Sequence, residues 1–201
     1  MTRRILLAGV LGGFAMFLWE GLAHEALPLG RAGIRGLNHE AEVVAALKAN
    51  IAQPGFYIFP GGEVLEAGLS GEQKKEAMRK AMEQWRLGPA GIMVVHPEGI
   101  NPESPRQLAT QCILDIASAL LAAFLLSLGM SRSTYGRRVL FITVIGLLPT
   151  LNAELPYWNW YGFPGAFALA QATTHVVGFF FAGLVIAKLV DSPVTKSPAT
   201  A

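Results

Sequence analysis

The 201-residue chain is 52% hydrophobic and only 15% charged, with a mean hydropathy of +0.42. Soluble domains carry about 25% charged residues, so this composition excludes an ordinary water-soluble protein and points to a membrane. A net charge of +2 with no basic stripe argues against nucleic acid, and one cysteine, Cys112, excludes an intrachain disulfide and any Cys/His zinc spacing.

Arg3 and Arg4 head the first apolar run, residues 5–23. Its length matches the ~20 residues a helix needs to cross ~30 Å of hydrocarbon. The small residues of Gly21-Leu22-Ala23 suit a signal-peptide cleavage site, and residues 2–7 have the look of a twin-arginine signal. The run is longer and bulkier than either signal, and more membrane helices follow. Residues 1–24 are therefore expected to form an uncleaved transmembrane helix. Gly9 and Gly13 make a small-xxx-small pair that lets a second helix approach. The chain changes solvent at Trp19-Glu20-Gly21-Leu22-Ala23-His24, where Glu20 and His24, four apart, share a helix face.

Residues 25–106 have globular composition and are expected to form a small external α/β domain. Asn38 is placed to cap a helix over 39–50, with Val43, Val44 and Leu47 on one face. Residues 56–59 read as a strand stopped by Pro60-Gly61-Gly62. Ser70 and Gln73 make a capping box, and the helix it starts aligns Ala77, Met78, Ala81, Met82 and Trp85 on one stripe. That stripe reads as core, or as a face for a partner. Gly88-Pro89 ends the helix, and residues 92–95 give a second strand, expected to share a sheet with the first. A core this small is expected to lean on the membrane bundle or a partner.

Ser104 and Gln107 form a second capping box, with Pro105 at the first helical position, and launch a membrane helix over 108–130. The third apolar segment, 139–153, is short and contains Pro149, so a kink or an incomplete, tilted span is expected. Tyr157, Trp158, Trp160 and Tyr161, like Trp19, are aromatics of the kind that sit at headgroup level. A fourth helix follows Pro164, over 165–190, so residues 107–191 hold helices two to four. The polar tail, 192–201, reads as disordered and cytoplasmic.

Arg3, Arg4, Arg132, Arg137, Arg138, Lys188 and Lys196 all fall on one side of this threading, and the positive-inside rule makes that side the cytoplasm. Both termini are then cytoplasmic and the insert external. With WEGLAHEALPLG at 19–30 and GFYIFPGG at 55–62, the threaded chain resembles bacterial inner-membrane proteins of an uncharacterised kind, with four helices and a periplasmic insert after the first. The resemblance implies that location. It implies no activity, cofactor or catalytic residue.

Polar groups inside apolar helices cost a few kcal/mol unless they are paired or wet, which makes them the best functional lead. They are Glu20 and His24, then Gln111, Cys112, Asp115 and Ser118, then Asn152 and Glu154, then Gln171, Thr173, Thr174 and His175. Asp115 lies about 15 Å in from Pro105 at 1.5 Å per residue, and His175 is near the midplane by the same arithmetic. If their faces converge with Glu20 and His24, the outer half of the bundle holds a polar pocket. The competing account is structural: solvated helix ends, and a hydrogen bond or ion pair that fixes packing. Cys112 has no nearby base and reads as an inert thiol. There is no HExxH, P-loop or nucleophile elbow, and any metal or cofactor is left unspecified. Haem ligation by His24 and His175 is disfavoured by their different depths. His39 and His96 read as solvated positions at element ends.

Three classes of function remain. The first is a non-catalytic accessory or assembly subunit of a larger membrane complex, whose partners are lipid and other membrane or periplasmic proteins. The second is a small-ligand, metal or proton-handling protein that uses the polar pocket. The third is a membrane enzyme with an acid/base pair from the same residues. The absence of any catalytic motif ranks the accessory subunit first. The threading is testable in a Cys112→Ala background. In intact cells an impermeant thiol reagent is expected to label Gly71→Cys and not Gly136→Cys; the reverse pattern overturns the orientation.

Overall fold

Each of the four apolar segments is helical in the computed structural model, which describes residues 3–101 and 104–190. The tail reading for 192–201 lies outside the described residues. Four helices are long and apolar enough to cross a membrane: α1 (Arg3–Glu25), α4 (Pro105–Gly129), α5 (Tyr135–Tyr161) and α6 (Gly165–Leu189). These are the helices of a multi-pass membrane protein. The remaining elements are α2 (Glu40–Asn50), β1 (Gly55–Phe59), α3 (Gly71–Leu87) and β2 (Gly91–Val95). The described residues divide into two compact units, 3–34 with 104–190, and Arg35–Asn101.

In the first unit α1 packs along both α4 and α6, while α5 packs along α6. Small residues make this contact possible, because in lipid helix association rests on close packing rather than on a hydrophobic driving force. A Cβ on Gly9 would lie 2.7 Å from the Leu120 Cα, and one on Gly13 would lie 2.6 Å from the Ile116 backbone nitrogen. Gly12 faces the other way, where a Cβ would come within 2.8 Å of Ile186 Cγ1. The small-xxx-small pair read from the sequence is thus the α4 contact. Around it Ala8, Met16, Ala119, Ala123, Leu126 and Ile186 are buried. The loop after α1 stays with this unit: Gly33, at φ +75, would set a Cβ 2.9 Å from the Phe167 nitrogen, so only glycine fits there. The second unit accordingly begins at Arg35, ten residues after the point where composition changes.

The third span is longer than its apolar run, 27 residues from Tyr135 to Tyr161, and it is irregular around Pro149, with a turn at Gly146 and a π turn after it. Pro149 and Pro156 each remove a backbone donor. The helix absorbs the disruption through a wider π turn at Thr150–Glu154, where the Asn152 side-chain amide donates to the Leu148 carbonyl at 3.0 Å. The aromatic residues 157–161 are consequently the last turns of α5. At its other end Arg138 is buried, and its Nη1 donates to the carbonyls of Ser131 (3.1 Å) and Ser133 (3.0 Å), tying down the preceding turn.

The second unit contains the two helices and two strands expected of it. β1 and β2 pair antiparallel, from Gly55 opposite Val95 to Phe59 opposite Gly91. Both capping boxes form: Gln73 N–H donates to Ser70 Oγ at 3.3 Å and Ser70 N–H to Gln73 Oε1 at 2.9 Å, and Ser104 with Gln107 repeats the pattern ahead of α4. Asn38 does not cap α2. His39 holds that position in a left-handed conformation, φ 51, without a side-chain bond, and Glu40 and Glu42 complement the helix dipole instead. On the wet face of α3, the hydrogen bond from Arg79 holds the Glu76 carboxyl below the usual carboxylate range.

The glycine contacts generate a stability prediction. Gly9→Ala and Gly13→Ala are each expected to cost about 1–3 kcal/mol through overpacking against α4, read as a fall in Tm of the detergent-purified protein. Gly21→Ala, with open space around it, is the control and is expected to be neutral.

Candidate functional site

The polar residues of the bundle gather where α1 ends, α4 begins and α6 has made its first turns. Antiparallel packing of α1 on α4, set by Gly9 and Gly13, brings Glu20 opposite Gln111. The Gln111 amide then spends both hydrogens on carboxylates: Nε2 donates to Glu20 Oε2 at 2.9 Å and to Asp115 Oδ1 at 2.9 Å. Asp115 is only 3% exposed, and its Oδ2 is buried with no hydrogen-bond partner among the described residues.

A second polar pair lies on the α5 side of α6. His175 Nε2 is 3.3 Å from Glu154 Oε1, with both side chains mostly buried. The π turn supplies Glu154, since an extra residue per turn rephases the helix that follows. Asp115 and His175, the two deepest titratable groups in the sequence, do not pair; each has its own partner.

Between these pairs is a cavity of about 430 Å³, lined by Glu20 and His24 of α1, Gln111 of α4, and Gln171, Thr174 and His175 of α6. Five of the seven residues singled out from the sequence therefore share one wall, while Asp115 and Glu154 engage residues of that wall from outside it. His24 Nδ1 lies 3.2 Å from the Glu20 carbonyl, and a carbonyl only accepts, so Nδ1 carries the proton. Trp19, read as a headgroup aromatic, is half-buried and donates from Nε1 to the Thr174 carbonyl at 3.0 Å, bracing α1 on α6. Tyr157, Trp158, Trp160 and Tyr161 are exposed.

Sequence reasoning missed Phe17 and Glu25, which also line the cavity. For Glu25 a signal existed, because it extends the Glu20/His24 series at a helix end. Phe17 was indistinguishable from any other apolar residue of a membrane helix. Among the described residues no group of three or more His, Cys, Asp or Glu side chains is arranged to hold a metal ion.

The second unit carries a separate surface feature. An apolar groove of about 520 Å³ runs between the end of β1, the turn at Gly62–Leu65 and α3, lined by Ile58, Val64, Leu65, Met78, Met82 and Trp85, with Arg86 among its residues. The stripe read as core from the sequence is thus largely open, because a two-stranded sheet is too narrow to cover it. Met78 is 44% exposed, Met82 57% and Trp85 39%, and Trp85 Nε1 donates to the Pro60 carbonyl at 2.7 Å. No family model matches the chain, and no curated protein and no solved structure matches it.

The amide bridge makes an energetic prediction. Gln111→Leu removes the only donor that Asp115 has among the described residues and is expected to destabilise the bundle by about 1–3 kcal/mol. The double variant Gln111→Leu/Asp115→Leu is expected to recover part of that loss, because an absent polar group costs less than an orphaned one. Equal stabilities for the single variant and the parent, by unfolding in mixed micelles, contradict the bridge.

Proposed function

We propose that the protein is a non-catalytic accessory or assembly subunit of a larger complex in a bacterial cell membrane. In this reading both termini are cytoplasmic, and the Arg35–Asn101 unit docks an external membrane or periplasmic protein. One observation carries the proposal. Among the described residues of that unit only Ala77 and Ala81 are buried, although α3 presents a full apolar stripe. A small unit with so little core needs a further surface to close it. The groove beside α3 is the face left open, and methionine side chains adapt to an irregular apolar partner. Arg86 makes no ion pair with another described residue, so the occupant best matched to the groove is an apolar polypeptide segment that ends in a carboxylate.

A second reading, in which the bundle handles a small ligand, a metal ion or a proton, is favoured by the polar cavity and by the unpartnered Oδ2 of Asp115. The two readings use different units and are compatible.

The docking reading is tested with Met78→Gln and Met82→Gln on the full chain. Both side chains are exposed, so the Tm of the purified protein is expected to stay within about 0.5 kcal/mol equivalent of the parent. The complex extracted from native membranes in mild detergent is expected to lose its second protein component. An unchanged complex in both variants refutes the groove as the docking face.

A further inference from the structure

We propose that the cavity at the Glu20–Glu25 end of the bundle binds a primary alkylammonium group. The inference rests on the second reading above, that the cavity is a ligand pocket, and it names the ligand's chemistry.

The sign of charge is the first constraint. Glu20 and Glu25 line the cavity and no lysine or arginine does, so the lining favours a cation over an anion. The second constraint is the direction of the hydrogen bonds. Both hydrogens of the Gln111 amide are already committed to Glu20 and Asp115. His24 Nδ1 faces the Glu20 carbonyl and His175 Nε2 faces Glu154, so in the neutral rings Nε2 of the first and Nδ1 of the second are acceptors. Glu20 Oε1 has no donor among the described residues, and the Thr174 hydroxyl donates to the Ala170 carbonyl at 3.0 Å. Gln171 adds one amide oxygen and two N–H groups, so with the Glu20 and Glu25 carboxylates the lining holds more vacant acceptors than donors. A primary ammonium, with three N–H donors and no acceptor, is the small group that matches it.

Size and depth agree. A volume of about 430 Å³ falls in the range of small-molecule sites, and Phe17 gives an apolar wall for methylenes. Glu20 to Glu25 form the last turn and a half of α1, and Gln111 lies about 9 Å along α4 from Pro105 at 1.5 Å per residue. That keeps the cavity within about 9 Å of the end of the span, nearer the headgroups than the ~15 Å half-thickness of the hydrocarbon. Two sources of the ammonium can reach it, a phosphatidylethanolamine headgroup from the bilayer and a free amine from the water.

The test uses the full chain in nanodiscs of phosphatidylcholine and phosphatidylglycerol, with phosphatidylethanolamine added in one arm and free ethanolamine titrated in another against equal sodium chloride. Retained lipid is read by mass spectrometry, and occupancy by the shift in Tm. Phosphatidylethanolamine is expected to be retained in preference to phosphatidylcholine, whose quaternary ammonium has no N–H, or ethanolamine to raise Tm where sodium chloride does not. Either result supports the site, and the responding arm identifies the source. Glu20→Gln is expected to weaken binding at least tenfold. Glu25→Gln, at an exposed position that does not threaten folding, is expected to weaken it as well. Preferential retention of phosphatidylglycerol overturns the ammonium assignment and leaves a ligand pocket. Equal retention of all three lipids with no ethanolamine shift overturns both.

Discussion

The approach of α1 to α4 and α6 is the constraint on which the rest of the bundle depends. Gly9 and Gly13 let the α4 backbone come closer than any side chain allows, and Gly12 does the same for Ile186 on α6. Without water in the surroundings, such contacts must supply by packing what a soluble core gains from apolar burial. The consequences run along the helices. Once Gly13 rests on Ile116, the register carries Glu20 to Gln111 and Trp19 to Thr174. The polar network is a product of helix register, and register here is a matter of three missing methyl groups.

Within that frame, polar side chains are arranged so that donors are scarce and acceptors abundant. One glutamine amide serves two carboxylates, and His24 Nδ1 and His175 Nε2 face the Glu20 carbonyl and the Glu154 carboxyl. A purely structural network tends to end with every buried group paired. Here Asp115 Oδ2 is buried with no hydrogen-bond partner among the described residues. The π turn in α5 belongs to the same economy of groups: two prolines disrupt the ladder, Asn152 repairs part of it, and Glu154 is turned toward His175.

The Arg35–Asn101 unit shows the opposite condition, in that its local structure is well specified and its packing is thin. A full capping box starts α3, and its two strands pair in full register, yet two alanines are all that it buries. Strong local signals with a weak core suit a module completed by something else, in the way that small interaction domains gain stability on binding.

Much of this was legible in the sequence by itself. Hydrophobic length marked the first, second and fourth spans, because crossing hydrocarbon demands about 20 apolar residues whatever their neighbours do, and the third was visible as a shorter apolar run. Capping boxes at Ser70 and Ser104 marked helix starts within a residue, since orphan backbone donors are satisfied locally. The seven candidate polar residues, five of which line the cavity, were also visible, because a polar group inside an apolar run needs no structure to be noticed. Three things were decided only by the tertiary structure. Asp115 pairs with Gln111 rather than with His175, the third helix runs through its prolines, and the stripe on α3 stays open. The separation of Asp115 from His175 and the open stripe depend on how one element is rotated against another, whereas the bridge to Asp115 and the π turn are i, i+4 arrangements within one helix that residue spacing permits but does not dictate. Periodicity along a single helix records which residues share a face; it holds no information on what that face will meet.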